Sequence, residues 1–199
     1  MKLGILGGTF DPVHYGHLLL AETCRLQLSL DQVRLVPAGS PPHKTGMNIT
    51  DGHARADMLQ LAVSGYPEFA VDRRELRREG KSFTVTTLAD FRTDFVDAEL
   101  FFLLGADSLR DIPTWREPDR IFELATVVAV NRPGLPELMH SQVVEWIGED
   151  LAKGVKIVTM PGTDISASDL RQRVRDRMGL RFLVPRAVEA FIDQHGLYV

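Results

Sequence analysis

The 199-residue sequence has one cysteine, Cys24, which rules out an internal disulfide and a cysteine-built zinc cage and fits a reducing compartment. Its expected place is the core-facing side of the first helix, as a small apolar residue. No apolar run approaches the ~18 residues of a membrane span. The opening MKLGILGGTF offers five apolar residues at most, too few for a signal peptide, so the expected location is the cytoplasm. Neither sign of charge dominates: 23 Lys and Arg face 27 Asp and Glu, a net charge of −4. That balance argues against a broad grip on nucleic acid or an anionic membrane, though not against a small basic pocket. The charged run RRELRREGK at 73–81 is broken by Glu75 and Glu79 and reads as a solvated loop. The chain has no G-x-G-x-x-G fingerprint, and no Walker lysine follows its first glycines. Internal repeats, low-complexity tracts and interdomain linkers are also missing, and the length suits one domain over 1–199.

What is present is an alternation of short apolar runs and helical patterns. Strands are expected at 3–6, 33–38, 69–72, 99–107, 126–130 and 155–160. After the first strand, Leu18, Ala21, Cys24 and Leu28 share one helix face. Asp51 caps a helix with Met58, Leu59, Ala62 and Val63 inward, and another helix covers Thr84–Arg92. Of two C-terminal helices, one turns Leu170, Val174 and Met178 inward. The other starts at Pro185, buries Val188, Phe191 and Ile192, and stops at Gly196. Strands apolar on both faces, each followed by a helix, imply a doubly wound, Rossmann-like parallel sheet in one α/β domain. Ligands bind such sheets beyond the carboxyl ends of the strands. The loops 40–51 and 131–138, rich in Pro and Gly, are surface connections.

Four stretches carry candidate chemistry. In GGTFDPVHYGH, at the end of the first strand, Gly7-Gly8 admits a ligand close to the backbone. A helix starting near Gly16-His17 aims free N–H groups and partial positive charge at the same point, and His14 and His17 add side-chain donors. As zinc ligands the two histidines lack a supporting cysteine or carboxylate, so no protein-held metal is expected. PPHK at 41–44 places a movable cation, Lys44, on a proline-stiffened loop. In ISASDLRQRVR at 165–175, Ser166 or Ser168 caps a helix and Arg171 lies within a turn of its start, so hydroxyl, N–H and guanidinium could converge on one anion. Asp169 can pair with Arg173 on the outer face. GADSLRDIPTW sets Asp107 at a strand end, then Trp115 in a Pro-bearing loop, where an indole is either a stacking platform or core filling.

In this order and spacing, GGTFDPVHYGH, PPHK, KSFT, GADSLRDIPTW and ISASDLR resemble the bacterial nicotinate mononucleotide adenylyltransferases, over essentially the whole chain. Phe83 stands where that family often has Tyr, and Ser168 where it often has Thr. The resemblance implies adenylyl transfer from ATP to nicotinate mononucleotide, giving nicotinate adenine dinucleotide and pyrophosphate in NAD biosynthesis, with Mg²⁺ carried mainly by the ATP phosphates. It implies that His14 and His17 contact those phosphates, His17 steadying charge at the α-phosphate, and that Lys44 closes over them. Ser168 and Arg171 would hold the leaving pyrophosphate, with Ile165 and Ser166 beside them. Gly7, Gly8, Thr9 and Phe10 would line the nucleotide cleft, Gly105 and Asp107 would lie by the ribose sites, and Trp115 would stack on the pyridine. Phe83 and Thr84 would meet its carboxylate, through the Thr84 N–H. Implied partners are small molecules, with no nucleic acid and no membrane. Two alternatives stay open: another superfamily enzyme acting on phosphopantetheine or nicotinamide mononucleotide, and a catalytically silent nucleotide-binding regulator.

Overall fold

The computed structural model describes residues 1–40, 49–131 and 138–199. Lys44 and most of both surface loops therefore lie outside the described residues. Six strands, β1 (Lys2–Gly8), β2 (Gln32–Pro37), β3 (Phe69–Val71), β4 (Glu99–Gly105), β5 (Thr126–Asn131) and β6 (Lys156–Thr159), form one sheet. The order is β3-β2-β1-β4-β5-β6 and every described pairing is parallel. The winding reverses between β1 and β4, so a crevice opens at their carboxyl ends.

Strand side chains alternate between the two faces, and helices cover both. Leu6, Leu35, Leu103 and Val128 pack under α1 (Tyr15–Leu28) and α2 (Gly52–Ala62). Leu3, Ile5, Leu100 and Phe102 pack under α3 (Thr84–Asp94) on the opposite side. The short helices α4 (Ala106–Asp111), α5 (Pro118–Leu124), α6 (His140–Ile147) and α7 (Glu149–Ala152) complete that second face. α8 (Ala167–Arg175) and α9 (Arg186–His195) return to the first. A fully buried Leu or Ile stabilises by about 1.5–3 kcal/mol. The unbroken apolar runs of β1 and β4 therefore select a doubly wound sheet over a one-sided one. Asp51 caps α2, accepting from the backbone N–H groups of His53 and Ala54, and Gly196 ends α9 in the left-handed region. Cys24 is fully buried, and burial pushes its thiol up to about 12, so it stays protonated and inert at neutral pH.

Several expectations change. β4 ends at Gly105, and Asp107 is an exposed residue in the first turn of α4 rather than a strand terminus. α8 stops at Arg175, so Met178 lies beyond it and is 48% exposed. On α1, Leu20 is buried whereas Leu18 and Leu28 only flank the core. The Asp169–Arg173 pair does not form: Ser166 donates its hydroxyl to Asp169, and Arg173 donates to the Gly179 carbonyl. The charged run at 73–81 is no solvated loop either. It folds into a 3-10 turn, Arg74–Arg77, with Glu75 buried. Arg74 pairs with Asp72 at 2.8 Å and lies 3.5 Å above the Phe91 ring, and Arg78 pairs with Asp90. The run looks unbalanced only in the linear sequence, because its counter-charges come from β3's end and from α3.

Candidate active site

The chain leaves β1 through Thr9 and Phe10, the latter at φ 50°, and enters α1 with His14 as N-cap, slightly earlier than the sequence suggests. The Phe10 ring turns into the core, 1% exposed, and meets the His17 ring edge-on at 4.9 Å. His14 and His17 lie with ring centroids 3.8 Å apart. The backbone N–H of His14 points to Nδ1 of His17 at 3.4 Å, a long contact. An accepting Nδ1 leaves the ring proton on Nε2, making that nitrogen the donor side of His17. A Cβ on Gly16 would stand 2.9 Å from the His14 ring, so glycine lets that ring lie flat on the helix start.

The cleft beside this turn is a cavity of about 600 Å³. It gathers six of the expected site residues on one wall system: Gly7, Gly8, Thr9, Phe83, Thr84 and Trp115. A Cβ on Gly7 would meet nothing within 4 Å, so the strand end borders open space a ligand can enter. Trp115 is half-buried, edge-on to Phe102 with centroids 6.2 Å apart, and lines the cavity. It both fills core and presents a surface to the cleft. Also on the wall, Phe83 is the N-cap of α3 and makes no side-chain cap bond. The first-turn N–H groups of α3 and the positive end of its dipole therefore mark an anion-receiving corner of the cavity. The Arg116 guanidinium, also on the wall, lies 4.9 Å over the Phe83 ring and adds positive charge there.

A second group assembles against the Asp11–Gly16 part of the strand–helix turn. Ser166 caps α8, accepting from the Asp169 N–H at 3.2 Å, and its hydroxyl lies 2.9 Å from that of Ser168. The Ile165 carbonyl approaches Gly16. Arg171 donates from Nη1 to the Asp11 carbonyl at 2.8 Å, which docks the start of α8 on the strand–helix turn. Of two further expected residues, Gly105 ends β4 next to the crevice, and Asp107 follows it in the first turn of α4. Among the described residues no group of three or more His, Cys, Asp or Glu side chains could hold a metal ion.

Residues 5–173 match the family model described as cytidylyltransferase-like. A protein of Thermomicrobium roseum named "Probable nicotinate-nucleotide adenylyltransferase" is 46% identical, over 99% of this chain and 91% of its own. One of the same name from Thermus thermophilus is 43% identical over the full length of both chains. The chain belongs to the nicotinate-nucleotide adenylyltransferase family. Its fold is also that of a solved nicotinic acid mononucleotide adenylyltransferase of Plasmodium falciparum, complexed with NaAD. The TM-score is 0.77 over 99% of this chain and 97% of that one, at 16% identity.

Within this adenylyltransferase the structure adds residues that the motifs left unassigned. Glu75 and Thr87 stand on the cavity wall, Thr87 donating its hydroxyl to Glu75 at 2.6 Å while accepting from Arg78 at 3.3 Å. The backbone N–H of Gly39 donates to the other Glu75 oxygen at 3.4 Å. Arg55, 2% exposed, donates to three carbonyls: Thr9 at 2.6 Å, Ala38 at 2.7 Å and Thr50 at 2.8 Å. Its signal was in the sequence, because helical spacing puts Arg55 on the same face as Met58, Leu59 and Ala62. Glu75 and Arg116 carry no such periodic signal.

The wall is closely fitted at Gly39, where a Cβ would stand 2.2 Å from the Glu75 carbonyl oxygen and 2.9 Å from the Ser82 hydroxyl. Backbone must move to admit a methyl. Gly39→Ala is expected to destabilise by about 1–3 kcal/mol, the range for overpacking. At roughly 2–4 °C per kcal/mol for a chain of this size, a melting curve should show Tm about 2–12 °C lower. An unshifted Tm would mean the 3-10 turn yields freely.

Proposed function

We propose that this chain joins the adenylyl group of ATP to nicotinate mononucleotide, releasing pyrophosphate and forming nicotinate adenine dinucleotide, as a step of NAD biosynthesis in the cytoplasm. One observation carries the reading. A cavity with an indole and a helix N-terminus opens onto the same Gly7–His14 loop that holds His17 and docks Arg171.

In this reading the acceptor's pyridine lies on Trp115 and its carboxylate at the start of α3, where N–H donors bind a carboxylate more strongly than a neutral amide. The ATP phosphates occupy the other side of the loop. An acceptor phosphate oxygen attacks the α-phosphorus in line, and the bond to the β,γ-pyrophosphate breaks. No covalent enzyme intermediate is required, since phosphoryl-type transfer rests on positioning and charge stabilisation. His17 Nε2–H donates to the α-phosphate as charge builds, with His14 beside it. Arg171 and Ser168 hold the leaving pyrophosphate, and Gly105 and Asp107 border the ribose sites. Lys44 is assigned to the phosphates on the resemblance alone. Mg²⁺ enters as part of the MgATP substrate. Substrates are small molecules, and among the described residues no helix is long and apolar enough to cross a membrane.

The direct test is pyrophosphate release with ATP and a panel of acceptors: nicotinate mononucleotide, nicotinamide mononucleotide and phosphopantetheine. Turnover should be fastest with the nicotinate acceptor. No release with any acceptor would favour a silent nucleotide binder. Arg171→Ala should raise the ATP KM about tenfold, as for loss of a partly solvated charged contact, and leave the acceptor KM within twofold. Equal rises in both KM values would remove Arg171 from the pyrophosphate.

A further inference from the structure

Asp11 is 4% exposed, yet three separate segments converge on it. The Tyr198 hydroxyl donates to Oδ1 at 2.7 Å, and the Thr50 N–H donates to Oδ2 at 3.3 Å. The same residue's carbonyl accepts from Arg171 at 2.8 Å. Arg55 adds a buried positive charge nearby and holds the carbonyls of Thr9 and Thr50 on either side. Both carboxylate oxygens and the carbonyl of Asp11 are therefore committed within one buried network. A carboxylate buried this deeply needs all its partners, because each lost donor leaves charge unsolvated.

Tyr198 is the most distant of these partners in sequence and the least expected. It follows α9 and its Gly196 stop, in the left-handed region at φ 68°. Its ring packs against the core cluster beneath α1 and α2, which brings the hydroxyl to Asp11. Without that hydroxyl, Oδ1 loses its donor and the carboxylate is drawn toward its remaining partners, Thr50 and Arg55. Arg171 rests on the carbonyl of that same residue, so the Tyr198 hydroxyl and the Arg171 guanidinium meet on one residue.

We propose that Tyr198 is a positioning residue for the ATP-phosphate side of the site, acting through Asp11 to set where Arg171 presents its guanidinium. The inference rests on the reading that Arg171 holds the leaving pyrophosphate. It concerns no contact between Tyr198 and substrate.

Tyr198→Phe removes the hydroxyl and keeps the packed ring. Steady-state kinetics should show the ATP KM raised about three- to tenfold, the range for one hydrogen bond, with the acceptor KM unchanged within twofold. Asp11→Asn, which removes the carboxylate charge that the Tyr198 hydroxyl, the Thr50 N–H and Arg55 face, should raise the same constant. In an Arg171→Ala background, Tyr198→Phe should add nothing to the ATP KM, since the path runs through Arg171. A purely structural tyrosine would instead lower Tm and leave both KM values unchanged. That result, or an effect additive with Arg171→Ala, overturns the proposal. If Arg171→Ala alone leaves the ATP KM unchanged, the pyrophosphate assignment itself fails. If it raises that KM and Tyr198→Phe does not, only the role of Tyr198 falls.

Discussion

Replacing His17 with alanine is expected to lower kcat about 100-fold or more, the usual loss when one donor to a developing oxyanion is removed. The ring is only half-buried, so its loss should not unfold the chain. It lies in the first turn of α1, beside His14 and edge-on to Phe10, so its direction is held by packing on two sides. The His14 N–H on Nδ1 leaves Nε2 as the proton-bearing nitrogen, and a donor in the ground state can tighten as negative charge grows on the α-phosphate. ATP affinity measured by direct binding should change little, because the interaction strengthens mainly in the transition state. His17→Gln, whose side-chain N–H can take up part of the role, should recover some of the rate. A folded His17→Ala protein with near-normal turnover would remove His17 from the chemistry.

Trp115→Ala should weaken the acceptor by roughly 5- to 150-fold and leave ATP affinity nearly unchanged. The range is that of a ring stacked on an aromatic face, about 1–3 kcal/mol. An electron-poor pyridinium suits an indole face both by stacking and by charge–quadrupole attraction. Stacking does not separate the acid from the amide, so the mutant should keep its preference for nicotinate mononucleotide while losing affinity for both. Discrimination belongs to the N-terminus of α3, where Phe83 and Thr84 line the cavity. Acceptor Kd values for each mononucleotide, in wild type and mutant, test both halves. The indole also packs against Phe102, so Tm must be measured alongside. Normal acceptor binding with an early melt would make Trp115 a core residue and nothing more.

The sequence by itself determined the sheet. Each of the six apolar runs became a strand: β1, β4 and β5 are buried on both faces, which only two helical layers can satisfy, while the less buried β3 and β6 take the sheet edges. It also determined where to look, since Gly7-Gly8 and the start of α1 fall at a strand's carboxyl end in any parallel sheet. The Asp51 cap and the Gly196 stop were legible for a similar reason: both are local, and a short stretch of backbone carries their energetics.

What only the tertiary structure decided depends on contacts between distant residues. The motif quoted Asp11, but nothing local revealed that Tyr198, 187 positions away, would donate to it, or that Arg171, 160 positions away, would rest on its carbonyl. The run at 73–81 looked like a solvated stretch because its counter-charges, Asp72 and Asp90, come from other elements, and folding turned Glu75 into a cavity wall. Periodicity reports which face of an element is buried, not what that face meets. Buried charges take their meaning from partners that the fold supplies, because a charge out of water persists only where several segments bring donors or counter-charges to it.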